Sequence, residues 1–260
     1  MPAVFDISAG QGVRIFRGLT SANLVAAGGD GNTDPYGEYV SLLMHFDPES
    51  VFPPNAIAFW KLSDLTDSSG NSNTLTNSGS AQFVSGKVGD CVQFNTSNYL
   101  RNTALSTPLN PDGPDGEFTA SIWINPSSFS NYQAFLGAPS GGGFIIHTDA
   151  SGAIYCNETT AGDAFVSSTL QLNQWQHVVF VKSNSSGYRT KVWYNGTQVY
   201  DQLTNNRSNY DASVTDITLG NYGGLGFPYN GKLDAVGLWN RELTDQEIAT
   251  LYNNGSGLEP

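Results

Sequence analysis

Positive charge is scarce in this sequence. Eleven Lys and Arg stand against 23 Asp and Glu, a formal net charge of −12, and the cations are scattered singly. With no basic patch to neutralise a phosphate backbone or grip an anionic bilayer, nucleic acid and membrane surfaces are disfavoured as partners. No run approaches the roughly 18 apolar residues of a membrane span, so no membrane insertion is expected, and Met1 to Leu19 lacks the basic-then-apolar order of a signal peptide. Cysteine is almost missing: Cys91 and Cys156 have no CxxC spacing, offer neither a zinc site nor a disulfide framework, and leave their own pairing open. The three histidines, His45, His147 and His177, are accompanied by no GxSxG elbow, HExxH helix, phosphate loop or dinucleotide fingerprint. Charged residues of both signs make up only 13% of the chain, about half the usual share. The surface must therefore be neutral-polar, built from Gly, Asn, Ser and Thr, which is the composition of an all-β protein with many turns.

Met1 to Pro54 differs in character from the remainder of the chain. Short apolar pieces (Val4-Phe5, Val13 to Phe16) are separated by glycine-rich spacers, and Asp30-Gly-Asn32-Thr-Asp34 imitates the opening of a calcium loop. Pro35 and Ser41 stand where that loop needs Gly and a bidentate Glu, so it reads as a solvated turn. One compact apolar segment, Tyr39 to Phe46, has the character of a strand before Pro53-Pro54 breaks regular structure. These features predict an N-terminal arm and linker over 1–54, with an added edge strand at 39–47, ahead of a domain spanning 55–260.

From Ala56 onward, short alternating runs recur between Gly/Asn/Ser clusters at sandwich spacing. In Phe118 to Ile124, period-two alternation puts Phe118, Ala120, Ile122 and Ile124 on one face and Thr119, Ser121 and Trp123 on the other. Asn195-Gly196 predicts a type I′ hairpin turn that pairs Tyr194 with Thr197 and Val192 with Val199. Trp175 to Val181 reads as a buried strand, with His177 a hydrogen-bonded core histidine. One helix is predicted near Thr244 to Asn253: Thr244 and Glu247 form a capping box, Leu243 and Ile248 occupy the staple positions, and Gly255 is placed to end it. Trp60, Phe94, Ile122, Val179 and Leu238 are the expected core.

A set of segments in fixed order carries a resemblance. They are Ala58-Phe-Trp60-Lys-Leu62 with Asp67-Ser-Ser-Gly70-Asn71, Gly86 to Gly89 leading into Val92-Gln-Phe94, Phe118 to Pro126, Trp175 to Val178, Val192 to Gly196, Asn230 to Val236, and Leu238 to Tyr252. In this order they resemble the laminin-G-like jelly-roll domains of the concanavalin A-like lectin and glucanase superfamily. The resemblance implies an all-β, concanavalin A-like jelly-roll sandwich of two antiparallel sheets with one short C-terminal helix. It also implies one structural calcium, transferred here to Asp67, Asn71 and Asp234 with backbone carbonyls; the residues alone equally allow Asp67 and Asn71 to form an Asx-turn.

Glucanases of this superfamily carry their carboxylates on one strand in a Glu-x-Asp-x-x-Glu or similar spacing, and no such run exists here, so no enzyme activity is expected. Candidate glycan contacts are aromatic: Trp123 on the polar face of its strand, and Tyr222, Phe227 and Tyr229 in a glycine-rich loop. The expected function is non-catalytic surface display. A jelly-roll head binds glycan or a host-cell surface, and residues 1–54 dock it, as a homo-oligomer, to a larger assembly such as a phage fibre or capsid decoration on the virion surface. The alternative is a carbohydrate-binding module of a secreted, extracellular bacterial enzyme or adhesin.

Overall fold

The computed structural model describes residues 52–109, 116–130, 132–139, 143–158, 162–183, 189–203, 214–223 and 226–260. The chain divides into two units, Met1–Val51 and Phe52–Pro260. The arm's expected strand at 39–47 and the Asp30–Asp34 turn lie outside the described residues.

In the second unit the strands are β1 (Ala58–Trp60), β2 (Thr76–Ser78), β3 (Gln82–Ser85), β4 (Asp90–Asn95), β5 (Tyr99–Asn102), β6 (Phe118–Pro126), β7 (Gln133–Gly137) and β8 (Phe144–Thr148). They continue with β9 (Ala153–Glu158), β10 (Gly162–Thr169), β11 (Gln176–Ser183), β12 (Arg189–Tyr194), β13 (Thr197–Leu203), β14 (Ile217–Leu219) and β15 (Asn230–Trp239). One sheet runs β13-β12-β11-β6-β15-β4-β3, with β1 also on β15, and the other β10-β9-β8-β7-β14-β5-β2. Pairings are antiparallel throughout both sheets, as in β6 against β11 and β15. This is the two-sheet sandwich that the sequence predicts.

Alternation builds two cores rather than one. The inner faces of both sheets pool Trp60, Phe94, Phe118, Ile122, Phe144, Phe180 and Leu238. The opposite face of the first sheet presents Phe59, Trp123, Val179, Trp193 and Trp239, and these are covered by Leu243, Ile248 and Leu251 at and within α1 (Asp245–Tyr252). Val179, expected in the main core, thus packs beneath the helix, because period two sends it opposite to Phe180. The capping box at Thr244 and Glu247 is present as expected. The helix ends earlier than Gly255, at Asn253, which takes the left-handed conformation (φ 48°) at the C-cap, a role asparagine fills more readily than other residues with a Cβ.

One boundary and one strand register differ from the expectation. Phe52, Pro53 and Pro54, expected in the linker, belong to the sandwich: the Phe52 ring meets Phe59 edge-on at 4.8 Å, and Trp239 Nε1 donates to Pro53 O. They also line a small cavity together with Ser69 and Pro260. In the hairpin Tyr194 pairs with Thr197 as expected, but Val192 pairs with Tyr200, because a bulge between Val192 and Trp193 shifts the register by one. Asn195 and Gly196 take the positive φ values of the turn, 49° and 76°. A Cβ on Gly196 would also stand 2.5 Å from the Tyr252 ring, so the turn must be bare for the helix end to seat. Cys91 and Cys156 are buried and unbonded, on strands of different sheets.

Candidate functional site

The second sheet's outer face carries the aromatic cluster. On β8, Phe144 and Ile146 enter the core and His147 therefore points outward; on β9, Ile154 and Cys156 enter the core and Tyr155 points outward. The β8–β9 register sets His147 directly opposite Tyr155, and their rings stack at 5.1 Å with planes 9° apart. Tyr132, just before β7, meets His147 edge-on at 5.6 Å and Phe227 at 6.1 Å. At 48% exposure it is the most accessible ring of the group.

The connection from β14 to β15 completes the cluster. Ala134 N–H donates to Phe227 O at 3.0 Å, tying that connection to β7, and Asn221 Oδ1 accepts from the backbone N–H of Tyr222 and of Phe227. Tyr222 and Phe227 pack edge-to-face at 6.0 Å. Tyr222 lies so close over Gly137 that a Cβ there would stand 2.6 Å from its ring. Polar groups flank the rings. Asp149, in the β8–β9 turn, accepts from Ser151 N and Oγ, from Ala153 N, and from the Tyr155 hydroxyl at 3.2 Å. Burial raises its pKa, but these four bonds outweigh that and hold it below the ordinary value, so it is a committed anion rather than a proton donor. Half-exposed rings beside fixed hydrogen-bonding groups can stack on apolar C–H faces and orient hydroxyls.

Of the four aromatic residues singled out from sequence, the structure brings Tyr222 and Phe227 together here and removes the other two. Trp123 is only 2% exposed. Its strand face is roofed by the helix end, with Tyr252 stacked at 5.8 Å, His177 stacked at 5.0 Å and Lys87 Nζ 4.9 Å from the ring centre. Tyr229 is fully buried between Phe94 and Phe135, and its hydroxyl donates to Lys232 O. Sequence reasoning missed Tyr132, His147 and Tyr155. The outward parity of His147 and Tyr155 becomes readable once β8 and β9 are delimited, whereas Tyr132 carries no signal. His177 is the hydrogen-bonded core histidine expected, with Nε2 2.8 Å from Ser121 Oγ; burial lowers its pKa to about 3.

The calcium set does not assemble. Asp67 Oδ1 accepts from Phe59 N and Ser69 N, and Oδ2 from Ser69 Oγ and Asn73 N. Its lone pairs are thereby occupied by donors. Asn71 shares that loop, donating to Ala56 O and Ile57 O. Asp234 belongs to a different network: it pairs in register with Trp123, and its Oδ2 accepts from Lys87 N and Val88 N. Its Oδ1 is buried without a hydrogen-bond partner, and burial pushes its pKa up to about 6. Glu259 Oε1 is likewise buried and unpartnered, and burial, then the Asp234 charge, lifts that group to about 7. Asp67 closes an Asx-turn on Ser69 N, Asn71 spends its amide on the Ala56 and Ile57 carbonyls, and Asp234 is held in a separate network, so the three side chains as placed do not form one ligand set.

A family model described as the concanavalin A-like lectin/glucanases superfamily matches residues 95–249. By sequence, no curated protein matches. Among solved structures, domain 4 of AbnA, an extracellular arabinanase of Geobacillus stearothermophilus solved with arabinotriose, is similar. Its TM-score is 0.61 at 20% identity, over 78% of this chain and 98% of that one. The binding domain of Paraclostridial Mosquitocidal Protein 1 gives 0.64 at 17% identity, over 77% of this chain and 52% of that one. The botulinum neurotoxin type G receptor-binding domain gives 0.59 at 15%, over 76% and 51%. The chain thus spans about half the length of the toxin domains, and at these identities the likeness is one of fold.

Proposed function

Because the chain belongs to the concanavalin A-like lectin/glucanases superfamily, we propose that it is a carbohydrate-binding domain whose ligand lies across Tyr132, Phe227 and Tyr222, with no catalytic step of its own. The observation that carries this reading is the ring cluster on the outer face of the second sheet, where Tyr132 remains half exposed although its neighbours are packed against one another. A ring held in place before the ligand arrives loses little freedom on binding, which is what a stacking platform requires. The non-catalytic part draws support from Asp149, whose hydrogen bonds fix it in a turn and leave it no proton to give. For setting, we favour a module of a secreted bacterial protein over the virion display expected from the missing signal-peptide pattern, the neutral-polar composition and the resemblance. The similar domains are an arabinanase module and toxin binding domains, and extracellular carbohydrate binding is common ground between both settings.

The test is titration calorimetry against a panel of neutral oligosaccharides, arabinotriose included, with wild type and Tyr132→Ala. Loss of one stacking ring should weaken binding roughly tenfold, about 1.4 kcal/mol. Equal affinity of the two proteins would move the ligand off this face.

A further inference from the structure

We propose that this face selects uncharged glycans and rejects those bearing carboxylate or sulfate groups, an inference that rests on the carbohydrate-binding reading above. Recognition of an anionic sugar needs a cation or converging donors, because a charge taken from water unpaired is strongly disfavoured. The seven strands of the second sheet contain one cation, Arg101 on β5. It is already taken: Nε lies 2.8 Å from Asp216 Oδ1, and Nη2 contacts Asp216 Oδ2, a fork-to-fork pair that leaves no charge to offer.

The remaining cations among the described residues serve the other sheet, its helix or the chain end. Lys87 lies over Trp123, Lys182 donates to Thr190, Arg189 pairs with Asp201, Lys191 with Glu242 and Arg241 with Glu247, while Lys61 donates to Pro260 O. Lys232 shares its strand face with Asp234 on β15 of the first sheet. At the ring cluster the fixed charge is negative. Asp149 bonds the Tyr155 hydroxyl, and Tyr155 stacks on His147 against Tyr132 and Phe227. A sugar carboxylate resting on these rings would meet an anion at close range within a chain of net charge −12. Hydroxyls meet no such penalty and gain an acceptor.

The experiment compares matched glycans, an asialo oligosaccharide and its sialylated counterpart, then an unsulfated chain and its sulfated counterpart, on the full chain at low and at high salt. The neutral member of each pair should bind about tenfold more tightly at low salt, and the gap should narrow as salt screens the repulsion. Asp149→Asn, which keeps an acceptor in the turn, should reduce the neutral-to-anionic affinity ratio about threefold. Equal binding of both members of each pair would overturn the selectivity and leave carbohydrate binding standing. A ratio untouched by Asp149→Asn would overturn the part assigned to that carboxylate. Failure of folded protein to bind any glycan would overturn the carbohydrate reading, and this inference with it.

Discussion

Replacing Asp234 by asparagine removes a charge from a position with no exposure to solvent. The carboxylate receives Lys87 N and Val88 N on Oδ2, while Oδ1 has no partner and Glu259 adds a second unpartnered oxygen close enough to feel its charge. Burial outweighs the backbone N–H groups of Val88, Lys87 and Ala235 and lifts the pKa from 3.8 to about 6. A folded-state pKa above the unfolded value means that the native protein holds the extra proton. The associated stability is therefore complete below about pH 4 and is lost as pH rises through about 6. A rise from 3.8 to about 6 corresponds to ~3 kcal/mol lost by pH 8, at about 1.4 kcal/mol per unit. Asparagine keeps an oxygen for the two N–H donors and cannot ionise, so the variant escapes this loss. Urea unfolding followed by tryptophan emission should show Asp234→Asn gaining on wild type by ~3 kcal/mol between pH 4 and pH 8. Comparing the difference at two pH values cancels any cost of the amide that does not depend on pH. A difference that stays constant from pH 4 to pH 8, or that grows in favour of wild type, would refute the reasoning.

Calcium should leave the melting temperature where chelator leaves it, because Asp67 has its oxygens filled by four donors. A rise of several degrees with calcium, abolished in Asp67→Ala, would show that the loop rearranges to take the ion. Tyr252→Ala should uncover Trp123 and His177, shift tryptophan emission to longer wavelength and cost about 2 kcal/mol, less than full truncation of a buried aromatic because Tyr252 is half-buried. An unchanged emission maximum would mean that the helix end does not roof the indole.

Features written in consecutive residues were legible in the sequence. The two faces of β6, the Asn195-Gly196 turn and the capping box at Thr244 all appear as read, since each depends on local geometry that a few side chains dictate. What depends on distant segments was not. Period two separates Trp123 from Ile122 but is silent on what lies above Trp123, and the answer comes from a helix more than 120 residues later. The bulge that moves Val192 opposite Tyr200 has no residue signature, and a one-residue shift changes every later pair. Tyr229 looked like a loop residue because glycines surround it. One of them, Gly231, is required by the tyrosine itself, since a Cβ there would stand 2.4 Å from its hydroxyl. The exposed member of the site, Tyr132, precedes β7 in an ordinary polar stretch, so only the register of β7, β8 and β9 reveals it.

The meeting of Phe52 and Pro260 around one small cavity has a consequence for presentation. Phe52 packs on Phe59 and Trp239, on the helix-covered side of the sandwich, whereas the Tyr132 cluster lies on the far side of the other sheet. The sandwich therefore begins, at Phe52, on the side away from the ring cluster. On the proposed carbohydrate-binding reading, copies carried side by side through the Phe52 side would turn their ring clusters the same way. Sites of modest individual strength could then engage a repetitive sugar coat together, with avidity set by spacing and tether length rather than by any single contact.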